Sequence, residues 1–132
     1  TMMGAIAGRG SAREPYLLSK VTSMTGTAAR STGSSGTMHL WNADTCQALA
    51  DMLRNNVTET YGQSRFGDLP VCAKSGTAEV GQGNAPHSWF AGFVDSDDLP
   101  LAFVALVENG GGGSAVAGSA AAQVLRTAAE LL

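Results

Sequence analysis

Three apolar runs lying close together constrain the fold more than any other feature. Val71 to Val80, Ser88 to Val94 and Leu101 to Val107 each have strand length, and each is bounded by turn residues. Gly81, Gly83, Asn84 and Pro86 separate the first two, and Asp95 to Pro100 separate the last two. Parallel neighbours need a long crossover, whereas connections this short and polar suit antiparallel ones. The sequence therefore predicts an antiparallel meander. The second and third runs are apolar at nearly every position, so both of their faces are expected to be covered.

The rest of the chain supplies helices to cover them. Thr1 to Ala7 reads as the end of a helix, stopped by Gly8 and Gly10. Pro15 opens an extended segment, Tyr16 to Met24, and Gly26 to Thr37 reads as a loop or weak hairpin. The clearest helix follows. Asn42 can cap it, Asp44 favours its positive end, and Cys46, Leu49, Ala50, Leu53 and Val57 make one apolar stripe. The stripe fades at Thr58, and Tyr61 to Pro70 reads as a connecting loop. Gly110 to Gly113 reads as a flexible release into a last helix, about Ser114 to Leu132. Its expected core stripe is Val124, Leu125, Ala128, Leu131 and Leu132, while Gly118, Ser119 and the alanines 120–122 let its first half approach a sheet closely. This order predicts an α+β design, with helices packed on an antiparallel sheet, in one unit spanning residues 1–132.

Composition narrows the function classes. Apolar residues make up 44% and charged residues 14%, a globular balance. The net charge is −3 and no basic stripe appears, which argues against nucleic acid as a partner. No stretch approaches the roughly 18 uninterrupted apolar residues of a membrane span. The chain opens on Thr1 with no basic flank, as expected of a processed or truncated product. The two cysteines, Cys46 and Cys72, read either as buried thiols or as a disulfide. They have no ligand-type spacing with His39 or His87, so no metal and no cofactor is expected.

Lys74-Ser75-Gly76-Thr77 carries the chemistry. A lysine and two hydroxyls interrupt an otherwise apolar strand, and lysine is rarely buried without a partner. The strand should therefore border a cleft. Gly76 removes a side chain where something must lie against the backbone. A cation, two hydroxyls and an open backbone edge suit an extended peptide ending in a carboxylate. A solvated edge strand guarded by a lysine would also place that residue there. Glu79 reads as a surface carboxylate, His87 as a structural histidine, and Trp89, Phe90 and Phe93 as core packing. Gly110 to Gly113 lack the Lys-Ser/Thr of a phosphate loop.

The wider context resembles one family. Lys-Ser-Gly-Thr-Ala-Glu, a Gly-rich turn and His87-Ser88-Trp89-Phe90-Ala91-Gly92-Phe93 are similar to the third active-site motif and following strand of penicillin-binding proteins. Asp97 to Asn109 and the Ala-rich last helix resemble the next strand and terminal helix of the transpeptidase domain. Upstream, Met2-Met3-Gly4-Ala5-Ile6-Ala7, Gly10 and Pro15-Tyr16-Leu17 resemble the passage before the motif.

That resemblance implies part of a five-stranded sheet and a serine acyl-transfer reaction on D-Ala-D-Ala stem peptides, inhibited by β-lactams. Lys74 would supply positive potential and serve the proton network of the nucleophile. Ser75 and Thr77 would bind the carboxylate, Gly76 would give room, and the Thr77 N–H would be one oxyanion donor. The family also needs a Ser-x-x-Lys and a Ser-x-Asn, and the chain contains neither. It should thus be the C-terminal portion of a transpeptidase domain, inactive alone, with the remainder of its own domain as partner. The resemblance places the whole enzyme at the extracytoplasmic face of a bacterial membrane, anchored through another segment. The edge at 101–107 is expected to be unpaired, or covered by another chain, as in a homodimer, or by a swapped segment. A serine β-lactamase fragment and a non-catalytic β-lactam-binding or sensor module are the competing readings.

Overall fold

A computed structural model describes all residues except Leu17, Ser19, 32–35, Gln82 and Leu132. The central sheet is the expected meander. Strands β5 (Val71–Ala78), β6 (His87–Val94) and β7 (Ala102–Val107) lie in the order β5-β6-β7, all antiparallel. Register pairs Val71 with Val94 and runs unbroken to Ala78 with His87. Three strands form this sheet among the described residues, consistent with part of a larger sheet.

Helices lie on both faces. On one, α1 (Met2–Ala7) and α2 (Ala43–Asn55) bury Ile6, Ala50 and Leu53 against Cys72 and Phe93. On the other, α3 (Ala117–Glu130) and the turns before β5 bury Ala117, Ala121, Ala122, Leu125, Val57 and Phe66 against Val71, Ala73, Phe90 and Val94. Neighbouring residues of β5 thus serve opposite layers, as strand geometry requires. Phe90 is the hub of the second layer. Its ring stacks near Phe66 and Phe103 at 6.1 and 6.2 Å and meets Tyr61 edge-on at 5.3 Å.

α2 follows its sequence signals. The Thr45 N–H donates to Asn42 Oδ1 at 2.7 Å, closing the expected cap. Cys46, Ala50, Leu53 and Val57 are buried and Leu49 is half-buried. The helix does not end at Thr58, however. It widens into a π turn at Asn56–Tyr61, closed by the Gly62 N–H to Val57 O, and a 3-10 turn at Gln63–Phe66 follows. The apolar period breaks because the turn widens, not because the helix stops.

Several other expectations are corrected. Strands β1 (Ser11–Arg13) and β4 (Thr37–His39) form one ribbon, and β2 (Lys20–Thr22) and β3 (Ala28–Ser31) form another. The segment Gly26 to Thr37, read as loop or weak hairpin, contributes β3 to a hairpin with β2 and the first residue of β4, and within Tyr16 to Met24 the described strand is β2. Small polar residues carry no alternation that would announce such pairing. Leu17 and Ser19 of the expected extended segment and 32–35 of the expected loop lie outside the described residues. The third strand is not covered on both faces, since Val104 is 63% exposed. On α3, the buried set is Ala117, Gly118, Ala121, Ala122 and Leu125, whereas Val124 and Leu131 face outward and Leu132 is not described. Small residues face the sheet because the helix sits hard against Phe90. A Cβ on Gly118 would lie 3.3 Å from that ring.

Both cysteines are buried and free, which settles the open alternative for thiols. Burial and, next, the nearby Asp95 push the Cys72 thiol up to about 11.

Candidate active-site edge

Lys74, Ser75, Gly76 and Thr77 occupy the second half of β5, where the strand runs out from the core. Val71, Cys72 and Ala73 are buried; Lys74 and Thr77 are exposed, and Ser75 and Gly76 are half-buried. The four residues pair with Ala91, Phe90, Trp89 and Ser88 of β6, so their other edge faces away from the sheet.

That outer edge has a regular series of backbone groups, because an antiparallel strand alternates inward and outward pairs. Arg54 Nη1 donates to Val71 O at 3.1 Å, and Asn56 Nδ2 donates to Ala73 O at 3.3 Å. The Ser75 N–H donates to Tyr61 Oη at 3.0 Å, and Lys74 Nζ donates to Ser75 O at 2.8 Å. The Thr77 N–H is next in phase. Among the described residues no side chain is bonded to it.

Tyr61, read from the sequence as part of a loop, is the residue that sequence reasoning missed. Its hydroxyl also lies 3.1 Å from Ser75 Oγ. Burial alone would raise the phenol. Hydrogen bonds with the Ser75 side chain and backbone, and the Lys74 charge, outweigh it and hold Tyr61 below its ordinary value of 10.0. A tyrosine thirteen positions before a lysine gives no sequence signal. Only the π turn brings the two together.

Ser88 was missed as well. It is fully buried, donates to the Gly112 and Gly113 carbonyls at 3.1 and 3.3 Å, and accepts from the Ala117 N–H at 3.0 Å. It pins the Gly-rich segment to the sheet opposite Thr77. A Cβ on Gly113 would stand 2.8 Å from Trp89 O and 3.0 Å from Gly76 N, so this glycine allows the segment to lie on the strand pair itself. The expected flexible release is thus a packed crossing at this point. His87 is structural as read: Nδ1 accepts from the Asn109 N–H at 3.0 Å. Glu79 is exposed, and Phe90 and Phe93 are core, but Trp89 is partly exposed beside Gly76.

Clefts of about 500 and 440 Å³ lie between α3 and the 63–70 turn, lined by residues such as Arg65, Phe66, Ser119 and Arg126. Arg65 is already engaged there, donating to Ser114 O and Ser119 Oγ. A strand edge binds by main-chain pairing and needs no deep pocket. Among the described residues no three His, Cys, Asp or Glu side chains are grouped to hold a metal.

Fold and site together define an α+β protein that presents a lysine and two hydroxyls on an open strand edge. A scan against protein families matches residues 1–130 to the penicillin binding protein transpeptidase domain. Among solved structures, the D,D-transpeptidase domain of a peptidoglycan glycosyltransferase from Eggerthella lenta is 28% identical, with a TM-score of 0.76 over 96% of this chain and 30% of that one. Penicillin-binding protein A from M. tuberculosis, as its imipenem acyl-enzyme complex, is 22% identical with a TM-score of 0.76, covering 99% and 29%. The penicillin G acyl-enzyme of the same protein is 21% identical with a TM-score of 0.74, covering 99% and 30%. No curated protein matches the chain. The chain belongs to the penicillin-binding protein transpeptidase family. It spans about 30% of the length of the solved structures it matches.

Proposed function

We propose that this chain is the C-terminal, substrate-gripping portion of a serine D,D-transpeptidase that cross-links peptidoglycan and is acylated by β-lactams. The observation that carries this reading is the open Thr77 N–H at the end of an otherwise occupied edge, next to Lys74 and the Ser75 hydroxyl. An extended stem peptide would pair with β5 there, its carboxylate held by Lys74, Ser75 and Thr77. Gly76 leaves its backbone accessible. The Thr77 N–H would donate to the oxyanion formed when a serine oxygen attacks the penultimate D-Ala carbonyl. The C–N bond then breaks, the terminal D-Ala leaves as an amine carrying the proton, and an acceptor amine later takes the acyl group.

The attacking serine belongs to the remainder of the domain, because this sequence has no Ser-x-x-Lys and no Ser-x-Asn. Chemistry of this kind places the whole enzyme at the extracytoplasmic face of a bacterial membrane. No helix among the described residues is long and apolar enough to cross one.

Fluorescent penicillin tests the reading. The full-length protein should give a covalent band that survives denaturation and persists for many minutes, and this chain alone should give none. A band on the isolated chain, or rapid hydrolytic turnover by the full-length protein, would overturn it.

A further inference from the structure

Val71, Ala73 and Ser75 are each engaged on the outer edge of β5 by a side chain from the helix and π turn that precede the strand. The π turn makes the last of these contacts geometrically available. In an α-helix, residues five apart lie about 140° apart around the axis. A five-residue closure instead brings Asn56 and Tyr61 to the same side, both facing β5. The Tyr61 ring is anchored edge-on against Phe90. Its hydroxyl is therefore held by the core rather than by solvent.

We propose that Tyr61 is a positioning residue that closes the β5 edge at Ser75 and aims the Ser75 hydroxyl, so that an extended, carboxylate-bearing ligand pairs in one register starting at Thr77. The proposal rests on the reading of β5 as the substrate strand. A phenol oxygen has one proton to give and lone pairs to receive. Accepting the Ser75 N–H uses a lone pair. Either hydroxyl can donate in the 3.1 Å contact between Tyr61 Oη and Ser75 Oγ; the proposal assigns the donor role to the neutral phenol, which leaves the serine proton for the ligand. A ligand slipped two residues along the strand would meet a Ser75 N–H already given to Tyr61 and a Ser75 C=O already accepting from Lys74 Nζ.

The test uses the full-length protein, with Tyr61→Phe, Ser75→Ala and the double variant. Tyr61→Phe keeps the ring and removes only the hydroxyl. Acylation rates are compared for benzylpenicillin and its methyl ester, which lacks the carboxylate. In Tyr61→Phe the acid-to-ester rate ratio should fall about 5- to 10-fold, the worth of one well-placed hydrogen bond. The substitution should add nothing further in the Ser75→Ala background. An unchanged ratio, or additive effects, would overturn the proposal. If Ser75→Ala also leaves the ratio unchanged, the reading of β5 as carboxylate strand fails, and the proposal fails with it. Amide hydrogen exchange separates the two without any catalysis. The Ser75 N–H should be protected in the native protein and released in Tyr61→Phe, and equal exchange at Ser75 and Thr77 in the native protein would show that no closure exists.

Discussion

Tyr61 and Cys72 show how neighbours set the chemistry of single side chains. The Tyr61 phenol lies below its ordinary value because Ser75 and Lys74 favour the phenolate. Spectrophotometric titration should show one of the two tyrosines ionising below 10.0, and Lys74→Met should raise it. The folded state favours the anion, so this group adds stability as pH rises from its folded value to 10.0, and that stability is lost on the way down. Cys72 behaves oppositely. Its folded value is raised from 9.0 to about 11, so its contribution is complete below 9 and is lost as pH rises toward 11. Urea midpoints across that window should fall with pH less steeply in Cys72→Ala than in the native protein. The Cys72 thiol should also resist alkylation at neutral pH until the chain unfolds. Lys74, Ser75, Gly76 and Thr77 could be singled out as candidates at this scale, because a lysine and hydroxyls are out of place in an apolar strand. Tyr61 and Ser88 were not, because a tyrosine in a turn and a serine in a strand are ordinary until their partners are known.

At the scale of elements, the three strands of the meander and the capped helix were readable, and the small ribbons and the junctions were not. The meander followed from three apolar runs with short polar connections. The π turn did not, since it removes the period by which a helix is recognised. The Gly-rich segment before α3 misled for a related reason. Glycines mark both free loops and close approaches, and only the position of Gly113 over Gly76 and Trp89 separates the two. Gly113→Ala should therefore cost about 2–3 kcal/mol of stability by urea unfolding, because backbone on both strands must move to admit the methyl group. Gly112→Ala, with nothing within 4 Å of its Cβ, should change stability by less than about 0.5 kcal/mol.

For the whole molecule, the unequal burial of the sheet matters most. β5 and β6 are covered by layers on both faces, whereas β7 has β6 as its one strand neighbour among the described residues and leaves Val104 and Leu106 largely bare. Alternation places the outward backbone groups at Ala102, Val104 and Leu106, since Leu101 O accepts from the Val94 N–H. An apolar, unpaired edge invites association. The isolated chain should self-associate in sedimentation experiments as concentration rises, and Val104→Lys should suppress this without lowering the unfolding midpoint by more than about 0.5 kcal/mol. A fully monomeric native chain would contradict the expectation of association at this edge. Periodicity, turn chemistry and the out-of-place lysine are local properties, and the sequence by itself determined what depends on them. They specified an α+β chain, the three strands of the meander and their antiparallel order, the Asn42 cap and the motif that carries the family. Tertiary structure alone decided which face of α3 is buried, because a large ring on the sheet selects small residues opposite it. It also decided that a helix continued as a π turn, that Gly113 is packed, and that Tyr61 meets Ser75. Each of these joins positions far apart along the chain, and no local pattern encodes such a contact.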